Sequence, residues 1–559
     1  MRTLNYKTDL CVIGGGLSGL CCAISAARSG IKTVLIHDRA VLGGNASEEI
    51  RMWVCGAHGK DNRETGIIEE ITLENFYRNP SSNYSVWSAI LYEKAVCEEN
   101  LTLLLNSSCL DADMDGTKIK SVKAWQSNAE TFHVVEAKIF ADCSGDSILS
   151  TLSGAEFMYG REAKSEFSET IPPDVSDRKT MGMSCLFQIR ETDHKCEFIP
   201  PKWAYVYETD DDLPYKDHDK NNNFWWIELG GEWDCIHDTD RCRDELLKIV
   251  FGVWDHMKNK GDHDVDNWEI EWIGFLPGKR ESRRYVGKHI ITQNDVEAGG
   301  KFEDTVAYAG WSMDDHFPEG FYYRDGHPTI YHPAPSPWGI PLRSLISKNI
   351  DNLCFAGRNI SVTHAALSSS RVMATCAVMG QALGSAVALA VKNNCMVSDV
   401  NIDELQQGLL WDDCYIPGVK RRTSDLTKSA SVNSEVIRNG FDRGEENLWR
   451  GNTGDVLEYS WNEPRMISRI RLIFDSDLNR KTHNMPCNYP LNPIDRQIKT
   501  IIKAYDIEII CGGEREVVSV NDNHQRFVIH DVNRLAEKIR FVPKKSDCGE
   551  FRLFDFEVE

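Results

Sequence analysis

The feature that most constrains this fold lies at the start of the chain, where a strand, a glycine-rich turn and a helix follow one another. Asp9-Leu10-Cys11-Val12-Ile13 reads as a short buried strand, and Gly14-Gly15-Gly16-Leu17-Ser18-Gly19 carries the spacing Gly-x-Gly-x-x-Gly. Leu20 to Ser29 is rich in Ala and Cys, Gly30 stops it, and Lys32-Thr33-Val34-Leu35-Ile36 reads as a second strand. The first glycine permits a tight turn, the second lets backbone N–H groups approach a pyrophosphate, and the third lets helix and strand pack closely. The helix N-terminus adds positive potential for phosphates. A glycine pattern alone says little, but inside a complete βαβ unit it predicts a bound dinucleotide.

After the second strand comes His37-Asp38-Arg39, where a ribose-binding acid is expected, and then Leu42-Gly43-Gly44-Asn45-Ala46-Ser47. Here the chain resembles the FAD-dependent oxidoreductases distantly related to the fumarate reductase and succinate dehydrogenase flavoproteins. It departs from them at His37, where the family has Glu; a ring nitrogen of His37 is expected to take over the ribose hydroxyl, with Asp38 beside it. Lys138 to Ser147 resembles the family's strand ending in an Asp-Ala-Thr-Gly-Asp-like turn, and Asn352 to Ile360 its late strand with Ala356-Gly357-Arg358. Thr363 to Val391 then reads as one long small-residue helix, and Leu405 to Gly418 completes the pattern. The resemblance implies FAD held by Gly14, Gly16, Leu17, Ser18, Gly19, His37, Asp38, Arg39, Gly43, Gly44, Asn45, Ala46, Ser47, Cys109, Cys143, Ser144, Gly145, Asp146, Gly357, Arg358, Ser369, Val372 and Met373. The late helix N-terminus and Arg358 are expected to stabilise negative charge on the reduced flavin. No His occurs between the Gly-Gly loop and His58, so the FAD is expected to be non-covalent.

Composition narrows the partners. A formal charge of −22 on 559 residues, with no basic stripe, argues against nucleic acid. Met1 to Lys7 lacks the apolar run of a signal peptide, and Ala374 to Val391, although free of charge, reads as a buried core helix rather than a membrane span. Eighteen Cys without an export signal point to a reducing, cytoplasmic setting. No Cys-x-x-Cys or Cys-x₄-Cys pair occurs, so neither a dithiol centre nor an iron–sulfur cluster is expected, and no metal site is foreseen. No second Gly-x-Gly-x-x-Gly follows a strand, which leaves the electron partner unidentified. A homo-oligomer is compatible with this composition.

The middle of the chain is expected to hold a small-molecule substrate. It is rich in aromatic residues (Trp203, Tyr205, Tyr207, Phe224, Trp225, Trp226, Trp233, Trp254, Trp268, Trp272), most of them expected in the core and one or two at the substrate. Gly278-Lys279-Arg280-Glu281-Ser282-Arg283-Arg284 resembles a segment of the same family; Arg283 either clamps an anion or belongs to an ion-pair network. For proton transfer the candidates are His58, His316 and His364, with Arg371 two turns after His364 on the same helix face. Oxidising an alcohol needs a base, whereas reducing an activated alkene needs a proton donor and cationic clamps.

Past residue 420 the texture changes. Val456 to Trp461, Ile467 to Phe474, Tyr505 to Ile510, Gln525 to Ile529, Lys538 to Val542 and Phe551 to Val558 read as short strands between Gly, Asn and Asp turns, the pattern of a β-sandwich. Ser431-Val432-Asn433, Asn439-Gly440-Phe441-Asp442, Trp449 and the closing Arg552 to Val558 resemble discoidin-type (F5/8 C-like) carbohydrate-binding modules. The expected architecture is a Rossmann-like α/β FAD-binding domain (1–160 and 346–418) with an inserted α+β substrate domain (161–345). A linker (419–430) then leads to an all-β jelly-roll sandwich (431–559). The expected activity is hydride transfer between FAD and a carbohydrate-derived hydroxyl. The alternatives are a fumarate-reductase-like ene-reductase of an unsaturated carboxylic acid, and a flavin-containing sugar-binding protein without turnover.

Overall fold

The structure, a computed structural model, describes residues 1–486 and 497–559. Among the described residues its first compact unit comprises Met1–His58, Ser81–Ile402 and 482–486, and its second comprises Gly59–Pro80, Asp403–Lys481 and 497–559.

The first unit is organised by a mostly parallel sheet. Strands β1 (Arg2–Ile13), β2 (Thr33–Ile36), β3 (Leu101–Leu104), β4 (Ser107–Asp115), β5 (Lys118–Gln126) and β6 (Thr131–Asp142) lie in the order β3-β2-β1-β6-β5-β4, and Leu353–Phe355 adds to β6. The pairs β2–β3, β1–β2, β1–β6 and β6 with Leu353–Phe355 are parallel, whereas β4, β5 and β6 form an antiparallel meander. β1 begins well before Asp9, because its first half pairs with β6 from Arg2↔Thr131 onward although it is largely exposed. Only Leu10 to Ile13 carries the continuous apolar run of a strand buried on both faces.

Helix α1 (Leu17–Arg28) packs along the helix Met373–Asn393. The approach is close because Gly380 faces backbone: a Cβ there would stand 2.0 Å from the Ser18 carbonyl oxygen. Met373–Asn393 is long and apolar enough to cross a membrane by length and composition, but most of its residues are buried inside this unit.

The single helix expected over Thr363 to Val391 is two helices, His364–Ser370 and Met373–Asn393, broken at Arg371-Val372. Val372 is extended (φ −66°, ψ 146°) and restarts the second helix as its N-cap, while the Ala374 N–H finds an outside acceptor in the Cys55 carbonyl at 2.9 Å.

The chain between Met181 and Phe321 builds a separate core around the helix Thr239–Asp255, with Phe187, Phe224, Trp226, Trp254 and Trp268 inside it. Most of the aromatic run is core, as expected, while Trp203 and Tyr205 are exposed.

The second unit contains a seven-stranded antiparallel sheet, consistent with a β-sandwich. Two of its strands are longer than expected. Two expected pairs fuse into Leu457–Phe474 and Phe527–Lys545, which bend at register shifts, and Glu514–Val520 forms an additional strand beside Ala504–Cys511. Backbone pairing that resumes after each register shift carries these strands across residues that break the apolar alternation. Residues 419–430 are not a free linker, because Arg421 is buried and ion-paired to Asp555 and Glu557.

Candidate cofactor and substrate cavity

A cavity of about 610 Å³ opens at the C-terminal ends of β1, β2 and β6, within the usual size range of small-molecule sites. One wall is the glycine turn. Gly14 takes φ 100°, a conformation L side chains avoid, and its N–H donates to the Ile36 carbonyl. Gly19 lies against the turn so closely that a Cβ would stand 1.8 Å from the Gly14 carbonyl oxygen. Gly16, Leu17 and Ser18 line the cavity at the start of α1, whose first N–H groups lack intrahelical acceptors. At Gly16 a Cβ would meet only the Gly44 Cα, at 3.8 Å, so the space before the turn is open. The Ser18 hydroxyl is buried there without a hydrogen-bond partner among the described residues.

His37 lines the cavity with both ring nitrogens already engaged by the protein. Its Nδ1 accepts the Gly15 N–H at 2.9 Å and its Nε2–H donates to the Val41 carbonyl at 3.0 Å. Burial drives its pKa down to about 4, so the ring is neutral and acts as a strut for the turn. The carboxylate at the strand end is that of Asp38, which lines the cavity with Arg39, Gly43, Gly44 and Asn45. Ala46 and Ser47 are fully buried behind this wall; the Ala46 carbonyl accepts the Trp87 indole N–H at 2.8 Å.

The facing wall is the turn after β6. Asp142, fully buried, accepts from Tyr285 Oη at 2.6 Å, from the Leu149 N–H at 2.8 Å and from the Ser144 N–H at 2.9 Å. These bonds hold Cys143, Ser144, Gly145 and Asp146 along the cavity. Cys109 lines it too, its thiol pushed up to about 12 by burial and the Asp142 charge. Asp146 pairs with Arg358 and, at 2.8 Å, with Lys279 Nζ, and these cations hold its carboxyl well below the usual range despite burial. Asp146 thus shares one negative charge between two cations, Arg358 and Lys279, and both line the cavity. Gly357, Val372, Met373 and Cys376 complete this region, so the positive end of Met373–Asn393 opens on the cavity.

At the far end side chains dominate. Trp53, Cys55, Trp225, Trp311 and Tyr331 surround Arg280, Asp314, His316 and Arg371. His316 Nδ1 lies 2.7 Å from Glu228 and Nε2 3.3 Å from Asp314. Burial opposes charge on this ring, but the two carboxylates outweigh it and raise its pKa. Arg280 lies 3.3 Å from Glu228, and Arg371 Nη2 donates to Asp314 Oδ2 at 3.0 Å. Three cations thus face two carboxylates. Arg371 Nε is buried and has no hydrogen-bond partner among the described residues.

Several expected residues lie elsewhere. His364 is buried off the cavity between Glu281 (2.8 Å) and Asp315 (3.1 Å). Although burial disfavours its charge, these carboxylates raise its pKa to about 10, so it is a cationic link in the core. Arg371, the C-cap of the first helix, reaches the cavity, whereas His364 at the start of that helix does not. Arg283 packs over the Phe157 ring at 5.5 Å and does not line the cavity; its neighbour Arg280 does. Ser369, fully buried, donates to the Trp311 carbonyl at 2.5 Å and accepts the Trp338 indole N–H at 3.0 Å. His58 lies behind the lining, its ring 4.2 Å from that of Trp311. Of the catalytic candidates, only His316 and Arg371 reach the cavity. Arg280, Asp314, Trp53, Trp311 and Tyr331 escaped sequence reasoning. Their one local signal was the basic segment that contains Arg280, since the others converge from separate loops.

The family described as "FAD dependent oxidoreductase" matches residues 9–409. The chain is 35% identical over 66 residues to the glycerol-3-phosphate dehydrogenase of Mycobacterium leprae (strain TN), a match covering 12% of this chain and 11% of that protein. The chain thus spans about a tenth of the length of the curated relatives it matches. Among solved structures, it is similar to the Bacillus halodurans glycerol-3-phosphate dehydrogenase complexed with FAD (16% identity, 33% of this chain and 40% of that one, TM-score 0.20). A second is the family 32 carbohydrate-binding module from Streptococcus pneumoniae EndoD (14% identity, 24% of this chain and 99% of that one, TM-score 0.20).

Proposed function

The chain belongs to the FAD-dependent oxidoreductase family, and from that premise we propose that it oxidises a hydroxyl of a small, oxygen-rich, carbohydrate-derived molecule bound at the Trp225–Arg280–Arg371 end of the cavity. The residues present fit FAD: an open cradle before Gly16, a helix N-terminus, the unpartnered Ser18 hydroxyl and the Asp38 carboxylate suit a pyrophosphate and a ribose. When bound, FAD supplies the hydride acceptor or donor.

The chain's own residues bind and orient the substrate. The observation that carries this is Arg371, at the cavity wall with a buried Nε lacking a partner, ready to donate to a substrate oxygen. Trp225, its ring 5.5 Å from that of His316, offers an apolar face for a sugar ring. The excess of cations over carboxylates favours a substrate with negative charge, such as a sugar acid. Asp314 and Glu228 fix Arg280, Arg371 and His316 in place, which lowers the reorganisation needed on binding. The C-terminal sandwich, with its likeness to discoidin-type modules, is the second reason for a carbohydrate.

One observation favours a second reading, reduction of an unsaturated carboxylic acid. His316, clamped between two carboxylates that raise its pKa, is better suited to donate a proton than to accept one, while Arg280 and Arg371 suit a carboxylate. Anaerobic half-reactions decide between them. Sugars or sugar acids that bleach the bound flavin support oxidation; unsaturated acids that restore its colour after chemical reduction support the second reading and overturn the first. Acid precipitation should release the flavin into the supernatant, as expected of non-covalent FAD; colour retained in the pellet would refute that.

A further inference from the structure

Outside this cavity, one cluster in the first unit brings together four metal-binding side chains. Asp210, His218, His256 and His263 each present one ligand atom, and these atoms lie within 4.8 Å of one another. His256 Nε2 is 3.0 Å from Asp210 Oδ1 and 3.2 Å from His263 Nε2; His218 Nε2 and His263 Nε2 are 3.4 and 3.6 Å from the same carboxylate oxygen. The three imidazole rings form a near-equilateral triangle, with centroids 5.1, 5.0 and 4.9 Å apart.

The geometry points to a structural metal site in which these four residues hold one divalent transition-metal ion, zinc, in tetrahedral coordination. Zinc bonds of about 2.0–2.1 Å to nitrogen set tetrahedral ligand atoms about 3.3 Å apart. The four separations above centre on that value. Imidazole nitrogens favour zinc over magnesium or calcium, which prefer all-oxygen shells.

The outer hydrogen bonds agree. His256 Nδ1 lies 3.0 Å from the Tyr207 carbonyl and His218 Nδ1 2.5 Å from the Lys216 carbonyl. A carbonyl only accepts, so both Nδ1 atoms carry a proton, and in the neutral rings the lone pair of each Nε2 is the one turned toward the cluster. This backbone anchoring of the second ring nitrogen is the usual support of a metal-bound histidine. His256 Nε2 lies 3.0 Å from the Asp210 carboxylate oxygen, a pair of atoms that a metal ion or a proton can join. His256 also opens a single π-turn, His256–Lys260, at the end of the helix Thr239–Asp255, a distortion frequent at functional sites. Asp210 is exposed, which gives an ion a way in, while His256 is buried.

The role follows from what the ligands join. His256 and His263 flank the end of that helix, whereas Asp210 and His218 belong to the loop that runs on to Asn223 and Trp225 in the cavity wall. Trp226 Nε1 donates to the Asp217 carbonyl at 2.8 Å, tying that run to the ligand His218. The ion staples the loop to the helix and so steadies the substrate wall.

The test uses the full-length, FAD-loaded protein purified without chelator or affinity histidines. Elemental analysis should give about one zinc per chain. His218→Ala and Asp210→Asn should keep the flavin but weaken zinc binding by ~10²-fold or more. His194→Ala, at an exposed histidine outside the cluster, should leave zinc unchanged. Should the variants fold poorly, the unaltered protein serves: stripping with chelator should lower its melting temperature, zinc should restore it, and cobalt should give the intense ligand-field bands of a tetrahedral site. Wild-type protein that neither retains zinc nor is stabilised by it overturns the proposal. So does equal zinc binding by His218→Ala, or a weak octahedral cobalt spectrum.

Discussion

At the phosphate end of the cavity the chain offers backbone: the glycine turn, the open first turn of α1 and the N-terminus of Met373–Asn393. At the far end it offers side chains locked by ion pairs: Arg280 with Glu228, Arg371 with Asp314, and His316 between both carboxylates. The first end depends on residues that leave room, and the second on residues that fill it. A backbone site is written by a short run of sequence with fixed spacing. A side-chain site is assembled from segments far apart in the chain, here Glu228, Arg280, Asp314 to His316, and Arg371.

The sharpest way to break the comparison is Gly16→Val. The Cβ would enter the open space before the turn, and we expect FAD to be lost altogether, read as colourless protein that does not take up added flavin. Full flavin occupancy in this variant would move the phosphate site elsewhere.

His364→Ala tests the core ion pairs behind the far end. Removing the imidazolium takes away the cation between two buried carboxylates and leaves Glu281 with Arg284 at 3.5 Å, so the variant should lose about 3–5 kcal/mol of stability while keeping its flavin. The pH dependence has a definite sign. The folded pKa of His364 is raised from 6.5 to about 10, so its contribution is complete below about pH 6.5 and is lost as pH rises toward 10. The melting temperature should fall across that window, and His364→Ala should flatten the fall. A variant as stable as the parent would show that the carboxylates do not depend on this ring.

Arg371→Ala separates binding from folding at the far end. Losing a donor aimed at the substrate should slow the flavin half-reaction by ~10²-fold with FAD content unchanged. Unchanged rates would move the substrate away from this wall. The smallest effect is expected at Gly380→Ala, whose new methyl would stand 2.0 Å from the Ser18 carbonyl oxygen. Overpacking of this kind should cost about 1–3 kcal/mol, read from chemical denaturation, and loosen flavin by displacing the start of α1.

Much of the cofactor end was legible in the sequence. The Gly-x-Gly-x-x-Gly run, the Leu42 to Asn45 loop, the turn after β6 and the Gly357-Arg358 turn all meet at one cavity. His37 misled because residue type announced a ribose partner, whereas two backbone contacts decided its role. His364 misled for a related reason: helical spacing placed it on a face with Arg371, whereas the Glu281 and Asp315 carboxylates hold its ring in the core.

The amino-acid order alone determined the βαβ start, the FAD family, the return segment and the all-β C-terminal part. These rest on spacing and alternation, which act between neighbours in sequence. Tertiary structure decided which charged residues face the cavity, which are neutralised in the core, and which three histidines meet Asp210. An ion pair or a ligand set depends on where distant backbone segments come to rest, and no local pattern encodes that meeting.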